Sequence, residues 1–306
     1  MTGLVDDRDR PMVAVPTLAE AYRTCEAITR DEAANFYYGI RLLPGSKRSA
    51  LCALYALARQ IDDIGDGDLP PAEKTAELAR VRKELNNLSD TSDPVMLGVA
   101  DTVRRYPVPT DAFGALIDGV QSDVDQAGFA TFDDLIIYCR QVAGGVGRLC
   151  LSIFGTQHPD DLDGDAWSYA DQLGIALQQT NILRDVREDL INGRIYLPQA
   201  DLDADGVWLR LDEHAVLEDP DARLAGLLRR LVARARDWYA LGLRLVPRLD
   251  RRSAASCTAM AGIYRNLLTK INNDPTLVYD RRLSLSPGEK ARVAVSSLLA
   301  GSGGRR

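Results

Sequence analysis

Two pairs of aspartates in the sequence have a spacing that could do chemistry. Asp62 and Asp66 lie in Arg-Gln-Ile-Asp-Asp-Ile-Gly-Asp, and Asp185 and Asp189 lie in Asn-Ile-Leu-Arg-Asp-Val-Arg-Glu-Asp. On an α-helix, an i, i+4 spacing puts both carboxylates on one face, with their Cβ atoms about 6 Å apart, where like charges destabilise the helix slightly. Such oxygen ligands suit Mg²⁺, which also takes phosphate oxygens from a substrate. The spacing therefore favours a shared cation.

The spacing alone is weak evidence in an acidic chain. Asp161 and Asp165, and likewise Asp201 and Asp205, are also four residues apart. Both of these pairs fall in segments rich in proline and glycine, which we interpret as loops where the spacing arises by chance. An isolated pair is more often part of a solvated helix face, so the two candidate pairs need support from their neighbours.

Further polar residues lie in register with each candidate pair. The first stripe has i, i+4, i+7 and i+11 spacing and falls within an arc of about 60°, and the second has i, i+3, i+7 and i+11 spacing and falls within an arc of about 80°. The two stripes are Tyr55, Arg59, Asp62 and Asp66, and Gln178, Asn181, Asp185 and Asp189. Polar groups that face a core are costly unless they are paired or metal-bound. We therefore expect two helices to face each other across cations and a charged ligand, helped by Arg59, Arg184 and Arg194.

The rest of the chain predicts an all-α protein. Apolar residues recur at helical spacing almost throughout, and no alternating pattern demands a strand. Helices are expected over 73–88, 111–126, 132–154, 222–247, 252–273 and 287–299, with breaks at 67–71, 89–94, 106–110, 155–165 and 197–220. We predict a flexible tail over 1–16, one helical bundle domain over 17–299 and a flexible tail over 300–306.

Composition and charge exclude several classes of function. The chain has 306 residues, of which 46% are hydrophobic and 26% charged, and its net charge of -7 argues against a nucleic-acid partner. Its two histidines lie in loops rich in proline or aspartate, which argues against a histidine-ligated metal or a Ser-His-Asp triad. Five cysteines without a Cys-x-x-Cys motif indicate a reducing, cytoplasmic compartment, and neither a signal peptide nor a membrane span is expected.

Four segments carry a resemblance to a known family. They are Asn-Phe-Tyr-Tyr-Gly-Ile-Arg-Leu-Leu-Pro at 35–44, the first aspartate segment at 53–66, Tyr-Cys-Arg-Gln-Val-Ala-Gly-Gly-Val-Gly at 138–147, and the second aspartate segment with its Gly-Arg-Ile-Tyr-Leu-Pro tail at 178–198. In order and separation they resemble the squalene/phytoene synthase family, from about residue 18 to about residue 292. The resemblance implies the all-α isoprenoid synthase fold, with a central apolar cavity.

The resemblance also implies roles for individual residues. Asp62, Asp66, Asp185 and Asp189 would bind several Mg²⁺ ions and, through them, the substrate diphosphates, with Asn181 as a further ligand and Gln178 beside it. Arg59, Arg194 and Arg281 match positions that hold diphosphate oxygens. Tyr55, Tyr138 and Tyr264 match tyrosines of the reaction cavity, the last two as catalytic residues, and Phe36 lies next to the chain-binding region. One departure is Ala33-Ala34-Asn35, where many members carry Ser or Lys.

Within the family, the sequences of the first two segments are most similar to those of bacterial presqualene diphosphate synthases. The expected reaction is then the head-to-head condensation of two farnesyl diphosphates to presqualene diphosphate in squalene or hopanoid synthesis, with no need for NADPH. Alternatives are a phytoene synthase acting on two geranylgeranyl diphosphates, a squalene or dehydrosqualene synthase, and a non-catalytic helical subunit. Because the products are apolar, we also expect peripheral contact with the inner face of a membrane and transfer of the product to a squalene-forming enzyme.

Some residues have a plainer interpretation. We place Asp123 and Asp125 on the surface, and we expect Arg187 and Glu188 to be solvated because they lie off the polar stripe. The segment 142–147, rich in glycine and other small residues, is expected to form a wall beside a long apolar chain.

Overall fold

The computed structural model describes residues 16–33 and 35–300, apart from the side chain of residue 300. Almost all of the two predicted tails lies outside these residues, and so does Ala34, in the segment Ala33-Ala34-Asn35 that departs from the family pattern. The described part is helical without a strand, its one β-bridge joining Leu211 and Leu217, which confirms the all-α prediction. None of the described helices is long and apolar enough to cross a lipid bilayer.

Thirteen α-helices are described in residues 16–300. They are α1 (Leu18–Glu32), α2 (Tyr37–Ile40), α3 (Gly45–Asp66), α4 (Pro71–Leu85), α5 (Pro94–Arg105), α6 (Asp111–Val124), α7 (Phe132–Cys139), α8 (Gly145–Phe154), α9 (Gly164–Ile191), α10 (Gln199–Asp205), α11 (Arg223–Gly242), α12 (Arg251–Asn273) and α13 (Pro287–Ala300). A π-helical turn, Arg140–Gly144, joins α7 to α8. Short 3₁₀ helices cover Pro159–Asp161, Leu243–Arg248 and Pro275–Val278.

Local sequence explains where the helices of the site begin. The Thr131 hydroxyl accepts a hydrogen bond from the Asp134 amide while the Asp134 carboxylate accepts one from the Thr131 amide, a capping box that starts α7. Asp163 caps α9 and Asp250 caps α12 in the simpler way, by accepting from backbone amides of the first turn. These caps fix the register of the helices that carry the site residues.

The predicted break at 197–220 is only partly a loop. Its first part forms α10, so Asp201 and Asp205 lie on a helix and not in a loop as expected. Asp201 forms an ion pair with Arg234 of α11, and Asp205 forms one with Arg230. These two aspartates therefore hold α10 against α11, and neither lines the cleft described below.

The central helix of the bundle is α9, which packs against α8, α11, α12 and the π turn, while α3 packs against α1, α5, α6 and α8. The approach of α9 to the π turn and α8 is very close. A Cβ at Gly174 would lie 2.1 Å from the carbonyl oxygen of Ala143, and one at Gly147 would lie 2.1 Å from that of Ala170. Glycine is therefore required at both positions for backbone to meet backbone.

A polar cluster joins three helices at the other end of the bundle from the aspartates. Lys47 of α3 donates to the carbonyl oxygen of Phe154 at the end of α8 and forms a 2.6 Å ion pair with Asp250 at the start of α12. The Ser253 hydroxyl also donates to the Phe154 carbonyl, at 3.1 Å. We call Lys47, Phe154, Asp250 and Ser253 the floor clamp, because they tie the ends of α3, α8 and α12 together.

The close approach at Gly174 predicts a difference between two glycine substitutions. Gly174→Ala should lower the free energy of unfolding by about 2–3 kcal/mol, because its methyl group would meet backbone that cannot move aside. Gly226→Ala in α11, where a Cβ would meet nothing within 4 Å, should raise the free energy of unfolding by about 0.5–1 kcal/mol. Urea denaturation followed by circular dichroism measures both, and equal stabilities of the two variants would contradict this packing.

Candidate active site

Both aspartate pairs lie in one cleft at the end of the bundle. The cleft has a volume of about 270 Å³ and lies where α3 ends and where the last turns of α9 pass it. Its charged lining residues are Arg59, Asp62, Asp66, Asp123, Arg184, Asp185, Asp189, Arg194 and Arg282. The structure thus brings together the two polar stripes that the sequence places on separate helices.

Arginines hold one carboxylate of each pair. Arg194 forms a 2.8 Å ion pair with Asp66 and also donates to the carbonyl oxygen of Gly65, at 3.2 Å. Asp185 is held from two sides, by its neighbour Arg184 and by Arg282, whose two nitrogens lie 2.9 and 3.1 Å from its oxygens. Burial raises the pKa of Asp185, but the hydrogen bonds and charges of Arg184 and Arg282 outweigh it, and the pKa lies below its usual value.

The other carboxylate of each pair lacks such a partner. Within residues 16–33 and 35–300, no ion pair is formed by the side chain of Asp62 or Asp189. Burial, together with the charge of Asp66, raises the pKa of Asp62 to about 7. Burial, together with the charge of Asp185, raises the pKa of Asp189 to about 8. The raised pKa values of Asp62 and Asp189 reflect the cost of placing two carboxylates side by side in a partly buried cleft, a cost that no ion pair offsets at these two residues.

Asn181 and Gln178 line the same cleft one and two turns before Asp185 on α9. The Asn181 amide nitrogen donates to the Gln178 side-chain oxygen, at 3.1 Å. The Asn181 Oδ1 atom is buried and accepts no hydrogen bond from the described residues. A buried acceptor without a donor is costly, and it is the kind of oxygen that a cation can satisfy.

An apolar cavity of about 210 Å³ opens from the cleft into the bundle. Arg59, Asp62, Val142, Gln178 and Asn181 line both spaces and so mark their junction. Phe36 and Tyr55 line the cavity, as does the small-residue wall, whose lining members are Val142, Ala143, Val146 and Gly147. The polar end and the apolar end of this continuous space suit a ligand with a charged head and a long hydrocarbon tail.

Two of the tyrosines singled out from the sequence are buried beside these spaces. Tyr264 is 4% exposed and its ring lies 5.3 Å from that of Phe36, so it packs behind a cavity residue and does not itself line the cavity. Tyr138 lines the cleft, where its hydroxyl donates a 2.8 Å hydrogen bond to Asp123. The structure therefore places Tyr138 at the cleft and Tyr264 one layer behind the cavity wall.

The surface interpretation of Asp123 is wrong. Its carboxylate accepts hydrogen bonds of 2.8 Å from both Tyr138 and Tyr196, and both rings pack against that of Phe129, the Tyr196 ring stacked on it and the Tyr138 ring tilted. Burial raises the pKa of Asp123 against the opposing effect of these two hydroxyls. Asp125, two residues later, is exposed as expected. One sequence signal could have indicated this contact. Tyr196 belongs to the tail of the second aspartate segment, and a tyrosine hydroxyl in the interior needs a hydrogen-bond acceptor.

Arg281 is a predicted site residue that lies outside the cleft. Its side chain is 73% exposed, lies 3.9 Å from Asp280 and is absent from the cleft lining. The next residue, Arg282, reaches Asp185 instead. Both arginines follow the 3₁₀ helix Pro275–Val278 in a loop, where no helical period says which side chain turns inward.

The expectation that Arg187 and Glu188 are solvated is also wrong in part. The side chain of Arg187 is 19% exposed and donates to the carbonyl oxygen of Ala215. Glu188 is 28% exposed and lines a second polar groove beside Asp189. Both residues therefore border the site and do not project freely into solvent.

Comparisons with known proteins agree with this geometry. The family model described as squalene/phytoene synthase matches residues 29–289. Phytoene synthases of Mycobacterium bovis and Mycobacterium tuberculosis are each 58% identical over 281 residues, which is 92% of this chain and 91% of theirs. A 15-cis-phytoene synthase of Synechococcus elongatus is 33% identical, covering 89% of this chain and 91% of its own.

Solved structures are similar over nearly the whole chain. A dehydrosqualene synthase in complex with a ligand has a TM-score of 0.82 and 27% identity, covering 92% of this chain and 97% of that one. A squalene synthase from Alicyclobacillus acidocaldarius has a TM-score of 0.72 and 27% identity, covering 84% of this chain and 94% of that one. The fold implied by the sequence resemblance is therefore confirmed.

These findings correct the predicted reaction. The sequence favoured the formation of presqualene diphosphate from farnesyl diphosphate, and that prediction is wrong, because relatives with 58% identity across both chains are named phytoene synthase. That activity was the stated alternative. The coarser prediction of a prenyltransferase-type enzyme stands. From the match over residues 29–289 and the coverage of these relatives, the chain belongs to the squalene/phytoene synthase family.

Proposed function

We propose that this protein is a phytoene synthase, which joins two geranylgeranyl diphosphates head to head and releases both diphosphates. The observation that carries the proposal is the 58% identity to two phytoene synthases over more than nine tenths of each chain. The continuous cleft and cavity support it, because one end is charged and the other is apolar. The reaction ends with loss of a proton and not with addition of hydride, so we expect no requirement for NADPH.

Residues of the cleft are suited to hold the two diphosphate groups together with Mg²⁺. No group of three or more His, Cys, Asp or Glu side chains within the described residues could hold a metal ion. Each stripe offers two carboxylates, and Mg²⁺ commonly takes one or two from a protein and completes its shell with waters and substrate phosphates. The raised pKa values of Asp62 and Asp189, and the unsatisfied Asn181 Oδ1, fit a site that expects a cation.

We assign Mg²⁺ to Asp62, Asp66, Asn181, Asp185 and Asp189. When bound there it would neutralise diphosphate charge and so stabilise the leaving group. Arg59, which pairs with Asp63, and Arg194, which pairs with Asp66, lie at the same cleft, and their remaining N–H groups would donate to diphosphate oxygens, as a planar guanidinium does well. We assign to Arg282 the role in diphosphate binding that was expected of Arg281, because the Arg282 side chain is the one at the cleft.

The apolar cavity would protect the reaction from water. Loss of diphosphate leaves an allylic cation, which must meet the double bond of the second substrate before it meets water. The cavity wall at Val142, Ala143, Val146 and Gly147 carries no nucleophilic side chain. The π turn that holds Val142 and Ala143 directs this wall towards the cleft, in keeping with the frequent occurrence of π turns at functional sites. We assign Tyr55 and Phe36 to the same wall, with Tyr264 supporting Phe36.

A dehydrosqualene synthase is the second candidate. It is favoured by the solved structure with a TM-score of 0.82, at 27% identity. The two candidates share the cleft and differ in the length of the prenyl chain that the cavity must hold. Isoprenoid diphosphates are the proposed partners in either case, and peripheral membrane contact remains a prediction.

Product analysis separates the two candidates. Purified enzyme incubated with Mg²⁺ and geranylgeranyl diphosphate, without NADPH, should yield phytoene and two equivalents of diphosphate. With farnesyl diphosphate alone the kcat/KM should be lower, because the shorter chain buries less apolar surface in the cavity. Chromatography of the extracted hydrocarbons measures both reactions. Turnover of farnesyl diphosphate with no turnover of geranylgeranyl diphosphate would refute the proposed function and support the second candidate.

Removing one carboxylate from either stripe should abolish turnover. Asp66→Ala and Asp185→Ala are each expected to lower kcat by about a thousandfold or more, because the leaving group loses a cation ligand. Circular dichroism should show unchanged helix content. Asp161→Ala, which alters an aspartate pair of the same spacing outside the cleft, is the matched control and should keep full activity. Full activity of both cleft variants would contradict the assignment.

The raised pKa of Asp189 predicts a pH-dependent gain in stability when it is neutralised. The pKa is about 8 in the folded protein against 3.8 ordinarily, so the folded protein binds more protons and loses stability as pH rises between about 4 and 8. Without metal, Asp189→Asn should therefore stabilise the protein more at the upper end of this range than at the lower end. Thermal unfolding in chelator measures the difference. The same gain at both ends, or an equal trend in the exposed control Asp68→Asn, would contradict it.

A further inference from the structure

Two free thiols lie near the end of the apolar cavity that is farthest from the cleft. Cys150 of α8 and Cys257 of α12 both line the cavity, and neither is in a disulfide. On α3 the cavity lining runs from Asp62 at the junction with the cleft to Leu51, eleven residues earlier, which is about 16 Å of helix. The cavity therefore extends deep into the bundle, towards the floor clamp.

The floor clamp fixes the level at which the two thiols sit. The Ser253 hydroxyl donates to the carbonyl oxygen of Phe154, so these two residues lie side by side. Cys150 is four residues before Phe154, and Cys257 is four residues after Ser253. Each thiol is thus one helical turn above the clamp, on two helices that meet at it.

The thiols are close to each other and are unreactive at neutral pH. Burial raises the pKa of each thiol to about 12, and for Cys257 the neighbouring Cys150 raises it further. Thiols that stay protonated at neutral pH are neither good nucleophiles nor metal ligands. They behave as small apolar groups, and their contribution here is their size.

We propose that Cys150 and Cys257, together with Phe154 of the floor clamp, which also lines the cavity, form the end wall of the prenyl cavity, and that the size of the two thiols sets the longest isoprenoid chain that the enzyme accepts. The proposal rests on the proposed function in one respect, that a prenyl diphosphate enters with its charged head at the cleft. A sulfur side chain on each of the two helices leaves the space that two larger aliphatic side chains would fill. The floor clamp below prevents the helices from separating to make room for more bulk.

Enlarging either thiol should shorten the accepted chain. In Cys150→Leu and Cys257→Leu, the ratio of kcat/KM for geranylgeranyl diphosphate to that for farnesyl diphosphate should fall at least about tenfold, because a hydrophobic pocket discriminates by about this much for each carbon group. Cys150→Ala and Cys257→Ala should keep or raise the ratio. Cys25→Ala, a buried thiol outside the cavity lining, should leave it unchanged. A ratio within about twofold of the wild type in both leucine variants would overturn the proposal.

A second measurement needs no substitution. In the wild-type protein, geranylgeranyl thiodiphosphate that carries a photoreactive diazirine on its terminal isoprene unit should, with Mg²⁺, crosslink to the peptides that contain Cys150 and Cys257, as read by mass spectrometry, because the carbene inserts into nearby bonds without needing a thiolate. The matching farnesyl analogue should label these two peptides less, and the peptide of Cys139, which is fully buried but outside the cavity lining, should be labelled by neither. Equal labelling of the two cavity peptides by both analogues, or by neither, would overturn the proposal.

The two measurements separate failure of this inference from failure of the proposed function. Should the wild type not convert geranylgeranyl diphosphate to phytoene, while the longer photoreactive analogue still crosslinks selectively to the peptides of both thiols, the function is refuted and the end wall stands. Should phytoene form while the leucine variants keep the wild-type ratio, the end wall is refuted and the function stands.

Discussion

The repulsion among carboxylates at one end of the bundle is the constraint on which the site depends. Two helices each bring a pair of aspartates to the same cleft, and a third acid, Asp123, comes from α6. Arg194 and Arg282 neutralise one member of each pair, and two tyrosine hydroxyls satisfy Asp123. The two remaining carboxyls keep raised pKa values, so the protein alone does not balance its own charge.

Contacts away from the cleft hold in place the helices that carry these carboxylates. The backbone contact at Gly174 sets α9 against the π turn, and the floor clamp ties α3, α8 and α12 at the opposite end. The result is a space with a charged end and an apolar end, joined at residues that line both. A prenyl diphosphate has the same division, so the space can orient such a substrate before any bond breaks.

Sequence reasoning reached the stripes because helical periodicity is a local property. Spacing alone predicts that Asp62 shares a helix face with Asp66 and Asp185 with Asp189, and it also predicts the all-α class, whereas the facing of the two helices was inferred from the polar residues in register with each pair. Sequence reasoning failed where the direction of a side chain depends on a loop or on packing between helices. Arg281 and Arg282 are neighbours in a loop and only the second turns inward, while Asp123 seemed a surface residue because its two tyrosine partners lie 15 and 73 residues away. The favoured product was wrong because it rested on segments that carry the family resemblance, and these segments do not show how far the apolar cavity extends into the bundle.

Calorimetric titration of the metal-free protein with inorganic diphosphate, repeated in the presence of Mg²⁺, tests most directly whether the clustered carboxylates hold cations for a diphosphate. We expect no measurable binding in chelator, because the carboxylates repel the anion, and clear binding once Mg²⁺ is present. Equally tight binding of diphosphate with and without Mg²⁺ would contradict a cation-bridged site, whatever the protein's product.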